Sequence, residues 1–246
     1  MEAMTLPASP TVILWTATTS DTGKIAAKCP ILAVFSMMQA SKKVYQRSLQ
    51  LTGKLFAGTL NTEVGTGKVA FLGGTPGNAL SAYWQSCEEP ALSKDLTLVG
   101  RADTSWTREG TLQAVSGFIS SDPDIKGYSY EAADSFMGGV RAYEAAGLPL
   151  DIVVTLRTDE MSLFCEWEKI NNPNFKIFYA SGGNYQSRIA LTAAMMKLKG
   201  YELSPDGIIL PTVMRELGEG TCNPDVPQEA STSSLIPIPI FQAMGK

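Results

Sequence analysis

Three short apolar segments alternate with helical patterns between residues 68 and 147, and this alternation constrains the fold more than any other feature. KVAFLGG (Lys68–Gly74), LTLVGRAD (Leu96–Asp103) and IKGYSY (Ile125–Tyr130) are predicted as strands, with helical periodicity between them. Strand–helix–strand units at this spacing favour right-handed crossovers and a parallel sheet. The chain is therefore predicted to be α/β, with a ligand site beyond the carboxyl ends of its strands.

The pattern continues towards the end of the chain. DIVVTL (Asp151–Leu156) is predicted as a buried strand that lies parallel to the first three in one sheet. The tail from Gly218 is rich in Pro, Ser and Thr, which predicts extended coil. The other predicted elements are strands at Ile31–Met38, Asn174–Gly183 and Gly207–Met214, and helices at 41–61, Leu163–Ile170 and Gln186–Gly200.

Composition excludes several functions. The net charge is −4 and no dense run of Lys or Arg occurs, which argues against nucleic acid as a partner. Histidine is absent, which removes imidazole bases, Ser–His and Cys–His dyads and most catalytic zinc sites. The absence of histidine alone does not exclude an enzyme, but no catalytic constellation appears in the sequence, so we expect no metal, no cofactor and no enzymatic activity.

The four cysteines are widely spaced and form no CxxC motif. Two states remain open, buried free thiols and one disulfide, and the disulfide requires an oxidising compartment. The specific prediction is a Cys165–Cys222 bridge, which would pin the coil tail to the predicted helix Leu163–Ile170. The N-terminus lacks the basic region and long apolar stretch of a signal peptide.

Three sequence blocks carry a resemblance to a known family: KVAFLGGTPGN, ADTSWTREGTLQAVSGFISSDPDIKGYSYEAADSFMGGVRAYEAAG and NFKIFYASGGNYQSRIALTAAMMKLKGYELSPDGIILPTVM. In this order, over residues 65–215, the chain resembles the sugar-binding proteins of bacterial ABC importers, the type I periplasmic binding proteins. The resemblance implies a two-lobed fold with Rossmann-like parallel sheets flanked by helices, a periplasmic location, and a sugar and a membrane permease as partners.

LPASPT (Leu6–Thr11) is similar to a turn that the family places late in its N-terminal lobe. The resemblance therefore implies that the first part of this lobe is missing. We expect a partial N-terminal lobe at residues 1–41, a C-terminal lobe at 42–181, a return to the first lobe at 182–215 and a coil tail at 216–246. The incomplete lobe would leave an open sheet edge near Ile31–Met38 or Gly207–Met214. The chain would then either self-associate through this edge or bind sugars much more weakly than an intact family member.

The candidate ligand residues follow strand ends. Trp106 matches the position of the family's stacking aromatic residue, with core packing as its alternative. Arg157 and Asp159 form a polar cluster after an apolar strand. Tyr130 and Asp134 flank the end of the third predicted strand. Three candidates have a structural alternative, namely a surface ion pair for Arg108, a helix start for Asp134 and hinge structure for Gln186. The predicted ligand-binding set is Trp106, Arg108, Tyr130, Asp134, Arg157, Asp159 and Gln186.

Other polar residues are assigned structural roles. Asn78 is predicted to cap the helix that follows it. The paired acids Glu88–Glu89, Asp122/Asp124 and Glu166/Glu168 are predicted to lie on solvated faces, so no glycosidase pair is expected. The leading hypothesis is a carbohydrate receptor of an ABC transporter. A sugar-sensing regulatory domain of the same fold and a truncated protein that binds no ligand remain alternatives.

Overall fold

The computed structural model describes residues 49–180, 186–202 and 213–232. The chain divides into two compact units, one made of residues 1–48 and 185–211 and the other of residues 49–184 and 212–246. The predicted strand at Ile31–Met38, most of the one at Gly207–Met214, and both predicted open edges lie outside the described residues. None of the described helices is long and apolar enough to cross a membrane.

One six-stranded sheet organises the larger unit, with the strand order β2-β1-β3-β4-β5-β6. The first five strands pair in parallel, which confirms the four predicted parallel neighbours, and β6 runs antiparallel to β5. The strands are β1 (Gly67–Gly73), β2 (Leu96–Asp103), β3 (Ile125–Tyr130), β4 (Val153–Leu156), β5 (Lys176–Tyr179) and β6 (Arg215–Glu216).

Helices cover both faces of this sheet. Alternate strand residues point to opposite faces, so Val154 packs into one apolar cluster, while Val153 packs with Leu60 of α1 into another. The larger cluster is formed with α3, α4 and α5. The helices of this unit are α1 (residues 49–63), α2 (Ala79–Glu88), α3 (Arg108–Ser121), α4 (Ala133–Ala146) and α5 (Met161–Ile170), and a 3₁₀ turn covers Glu89–Ala91. The helix α6 (Gln186–Leu198) belongs to the other unit.

The predicted cap of α2 is confirmed, and a glycine ends α4. The Asn78 side chain accepts hydrogen bonds from the backbone N–H groups of Leu80 and Ser81, which caps the start of α2. Gly147 ends α4 in the left-handed conformation, with φ of 65°. Both ends are set by local chemistry, and each positions a helix against the sheet.

The predicted Cys165–Cys222 disulfide is confirmed, with the two Cα atoms 4.6 Å apart. It ties the tail to α5, whose first backbone N–H groups also bond to the tail. The Met161 N–H donates to the Ala230 carbonyl at 2.9 Å, and the Ser162 N–H donates to the Gln228 carbonyl at 2.7 Å. The tail thus satisfies donors that the start of α5 would otherwise leave unpaired.

The prediction that Glu88 lies on a solvated face is wrong. Glu88 is wholly buried on the face of α2 that packs against the sheet. The Ser129 hydroxyl donates to one of its carboxyl oxygens, and Ser129 also pairs with the Thr155 hydroxyl at 2.8 Å. Because the buried face of α2 is largely polar, the apolar periodicity that marks a buried helix face is missing here.

Candidate functional site

The loop after β2 presents Trp106 at the carboxyl edge of the sheet. Ser105 and Trp106 both adopt φ of 54°, in the left-handed region that non-glycine residues rarely enter. The Ser105 N–H donates to the Gly74 carbonyl at 2.9 Å, which fastens the loop to the end of β1. Trp106 remains 38% exposed, so its indole offers an apolar surface beside the strand ends.

The indole of Trp106 rests directly on Gly74. A Cβ atom added at Gly74 would lie 2.2 Å from both Cε2 and Cζ2 of the ring, far inside van der Waals contact. The Gly74 N–H in turn donates to the Ser81 hydroxyl at 3.0 Å. The turn after β1 is thereby fixed between the Trp106 ring and the first turn of α2.

A buried carboxyl group, Glu131, lies at the centre of this edge. The Ser81 hydroxyl donates to its Oε1 atom, and Nη1 of Arg157 lies 3.8 Å from its Oε2 atom. Burial raises the pKa of Glu131, although Ser81, the indole groups of Trp84 and Trp106 and the Arg157 charge act in the opposite direction. The site therefore combines an aromatic surface with a carboxyl group and a guanidinium group.

Arg108 and Asp134 pair with each other. Nε and Nη2 of Arg108 donate to the two carboxylate oxygens at 3.2 and 2.5 Å, and the Ser162 hydroxyl donates to Asp134 at 2.6 Å. Burial acts to raise the pKa of Asp134, but the hydrogen bonds and charge of Arg108 hold it below its ordinary value. Asp134 lies in the first turn of α4, as its structural alternative predicted.

Two other candidates are enclosed. Tyr130 is fully buried, with its hydroxyl 2.5 Å from the Thr104 hydroxyl. Asp159 is 1% exposed and accepts hydrogen bonds from the side chain and backbone of Thr232 in the tail. Gln186 begins α6 in the other unit, and its side chain lies outside the described residues. Their roles in ligand binding stay predictions.

Among the candidates, the side chains of Trp106 and Arg157 interact with the carboxyl group of Glu131. Glu131 itself was missed, although its position carried a signal. It directly follows β3, as Arg157 directly follows β4, and the preceding residues Tyr130 and Leu156 are register partners. Two opposite charges placed immediately after adjacent parallel strands are expected to meet at the sheet edge.

Comparison with known proteins identifies the fold. No protein family matches the sequence, and no curated protein matches it significantly. Among solved structures, an ABC transporter periplasmic solute-binding protein from Actinobacillus succinogenes with bound D-allose aligns with a TM-score of 0.57 and 22% identity, over 68% of this chain and 59% of that protein. The chain has the periplasmic-binding-protein fold.

Two further solved proteins with this fold align equally well. An ABC transporter solute-binding protein from Agrobacterium vitis with bound D-fucose gives a TM-score of 0.57 and 17% identity, over 68% of this chain and 57% of that one. The fructose-binding periplasmic domain of a hybrid two-component system gives a TM-score of 0.57 and 16% identity, over 69% of this chain and 56% of that one. The chain thus spans less than two thirds of these proteins, and the predicted resemblance is confirmed for the fold.

Proposed function

We propose that this chain binds a sugar at the carboxyl edge of its sheet, over Trp106 and beside Glu131 and Arg157. The observation that carries the proposal is an exposed indole at this edge, next to the buried carboxyl group of Glu131 and the half-buried guanidinium group of Arg157. A sugar ring offers an apolar C–H face to an aromatic ring and hydroxyl groups to planar polar side chains. The sugars bound by solved proteins of the same fold support this ligand class.

The spacing of Glu131 and Arg157 suits a hydroxyl group. Their closest atoms are 3.8 Å apart, which is longer than a direct hydrogen bond. A sugar hydroxyl can donate to the Glu131 carboxylate and accept from the Arg157 guanidinium. Because the two charges cancel, the pair favours a neutral sugar over a charged one.

The proposal extends to the protein's role. We infer a receptor that carries its sugar to a membrane permease in the periplasm, without enzymatic activity. A second candidate is a sugar-sensing domain, because one structural match is the periplasmic domain of a two-component system. Sugar uptake and transcription, measured in cells that lack the gene and in cells that regain it, separate these roles. A receptor changes permease-dependent uptake, whereas a sensor changes transcription.

Isothermal titration calorimetry against neutral aldoses and ketoses, D-allose and D-fucose among them, tests the binding site. We expect Trp106→Ala to lose roughly 1–3 kcal/mol of binding free energy through lost ring contact. Trp106→Phe, which keeps an aromatic ring, should retain most of the affinity. Failure of every sugar to bind at millimolar concentration, or an Ala variant as tight as the wild type, would refute the proposal.

A further inference from the structure

Two small residues contact Trp106, Gly74 at its indole ring and Ser135 at its backbone carbonyl. We propose that Gly74 and Ser135 are positioning residues that hold this indole ready for the sugar before the sugar binds. The inference rests on the proposed sugar site. It assigns to two small residues the geometry of the aromatic surface that the ligand would contact.

Gly74 has no side chain, and the Trp106 ring occupies the space that a side chain would need. Gly74 does not adopt a positive φ, so its backbone conformation does not itself require glycine. The requirement comes from the ring, because an added Cβ would lie 2.2 Å from two of its atoms. Alanine at this position must therefore push the indole away from the end of β1.

Ser135 acts through the backbone of Trp106. Its hydroxyl donates to the Trp106 carbonyl at 2.7 Å, and the Trp106 N–H donates to the Thr104 hydroxyl at 3.3 Å. A non-glycine residue persists in the left-handed region when its surroundings hold it there. Ser135 is 4% exposed and lies in the first turn of α4, so it supplies a rigid anchor for this conformation.

A fixed ring lowers the cost of binding. When a ligand must order a mobile side chain, the loss of side-chain entropy offsets part of the interaction free energy. A side chain that is already ordered avoids this cost. Burial raises the pKa of Glu131, and the Trp106 side chain is one of the groups that act against this rise. Displacing the ring therefore disturbs both the stacking surface and the hydrogen-bonding environment of the carboxyl group.

Fluorescence quenching of the ligand-free protein tests the positioning directly. The signal of Trp106 is isolated by subtracting, for each variant, the same variant with Trp106→Phe. Gly74→Ala and Ser135→Ala should each raise the acrylamide quenching of Trp106. The matched controls are Gly117→Ala, whose added Cβ meets nothing within 4 Å, and Ser120→Ala, whose hydroxyl donates to the Ser116 carbonyl on an exposed face.

Sugar affinity supplies the second measurement, by calorimetry with the sugar that the wild type binds. We expect Gly74→Ala to weaken binding about tenfold, and Gly74→Ala combined with Trp106→Ala to bind as Trp106→Ala alone does. A wild type that binds no sugar contradicts the proposed function, whereas the quenching experiment still decides the positioning role. Quenching that is unchanged in either Gly74→Ala or Ser135→Ala overturns the inference.

Discussion

Glu88 shows how one residue can couple folding to pH. Its carboxyl group is enclosed between α2 and the sheet, and within the described residues its Oε2 atom has no hydrogen-bond partner. Burial raises the pKa of Glu88 well above its ordinary value, against the opposing effects of the Ser129 hydroxyl and the Arg101 charge. The folded protein thus favours the protonated acid at pH values where a solvated glutamate is ionised.

We predict that Glu88→Gln removes part of the pH dependence of stability. The pKa of Glu88 is higher in the folded protein than in the unfolded chain. Its contribution to the free energy of unfolding is therefore fully present below the pKa of the unfolded state and is lost as the pH rises towards the pKa of the folded state. The wild type should lose stability relative to the Gln variant between pH 5 and pH 8, measured by denaturant unfolding.

Glu89→Gln is the matched control for this experiment. Glu89 is exposed and forms a surface ion pair with Arg101 at 2.5 Å, so its substitution should leave the pH profile nearly unchanged. Wild-type and Glu88→Gln unfolding free energies that stay parallel across this range would contradict the buried-acid interpretation.

At the scale of single elements, the start of α2 links helix capping to the candidate site. Asn78 accepts from the Ser81 N–H at 3.2 Å, and the Ser81 hydroxyl in turn contacts Gly74 and Glu131. Fraying of this first turn would release both contacts. The stability of one helix end therefore bears on the geometry of the sheet edge.

Replacing Asn78 with Ala should lower the free energy of unfolding by about 1 kcal/mol, because two backbone N–H groups lose their acceptor. Asn78→Asp retains a capping oxygen and serves as the control, with stability close to that of the wild type. Urea unfolding measures both variants. Equal losses in the Ala and Asp variants would show that capping is not the cause.

The elements of the sheet were predictable because their signals are local. Apolar runs such as Val153–Leu156 and stop signals such as Gly147 identify strands and helix ends without tertiary information. β6 was not predicted at its observed place, because Arg215–Glu216 is a polar pair that becomes a strand by pairing with β5. Such a strand is defined by its neighbour and leaves no pattern of its own.

The site was less predictable, because its contacts depend on register and on distant residues. Parallel pairing places Tyr130 in the apolar layer formed with α3 and α4, whereas the next residue, Glu131, lies at the sheet edge. A shift of one residue therefore changes whether a side chain packs in the core or lies at the site. Asp159 bonds to Thr232, which lies 73 residues away. The sequence indicates strand ends as the place for polar side chains but lacks the information to choose among them.

At the scale of the whole molecule, the disulfide ties the described tail covalently to α5. Cys165 and Cys222 are 57 residues apart, whereas Cys87 is a free thiol. The alternative of buried free thiols is therefore wrong for the bridged pair. Crosslinking so long a loop removes many conformations from the unfolded chain.

Replacing both bridged cysteines with Ala should cost about 4 kcal/mol of unfolding free energy by loop-entropy arguments. Guanidinium unfolding with and without a dithiol reductant measures this, and the reductant should lower the stability of the wild type but not of the double variant. Cys87→Ala is the control and should respond to reductant as the wild type does. A double variant as stable as the oxidised wild type would contradict the prediction.

The bridge also has a consequence for the covalent connectivity of the chain. The stretch that belongs to the other unit, residues 185–211, lies wholly between Cys165 and Cys222 along the sequence. A single proteolytic cut within it therefore separates no fragments while the bridge is intact. On a denaturing gel the nicked protein should run as one band without reductant and as two with it, so the bridge keeps both halves of a damaged molecule together.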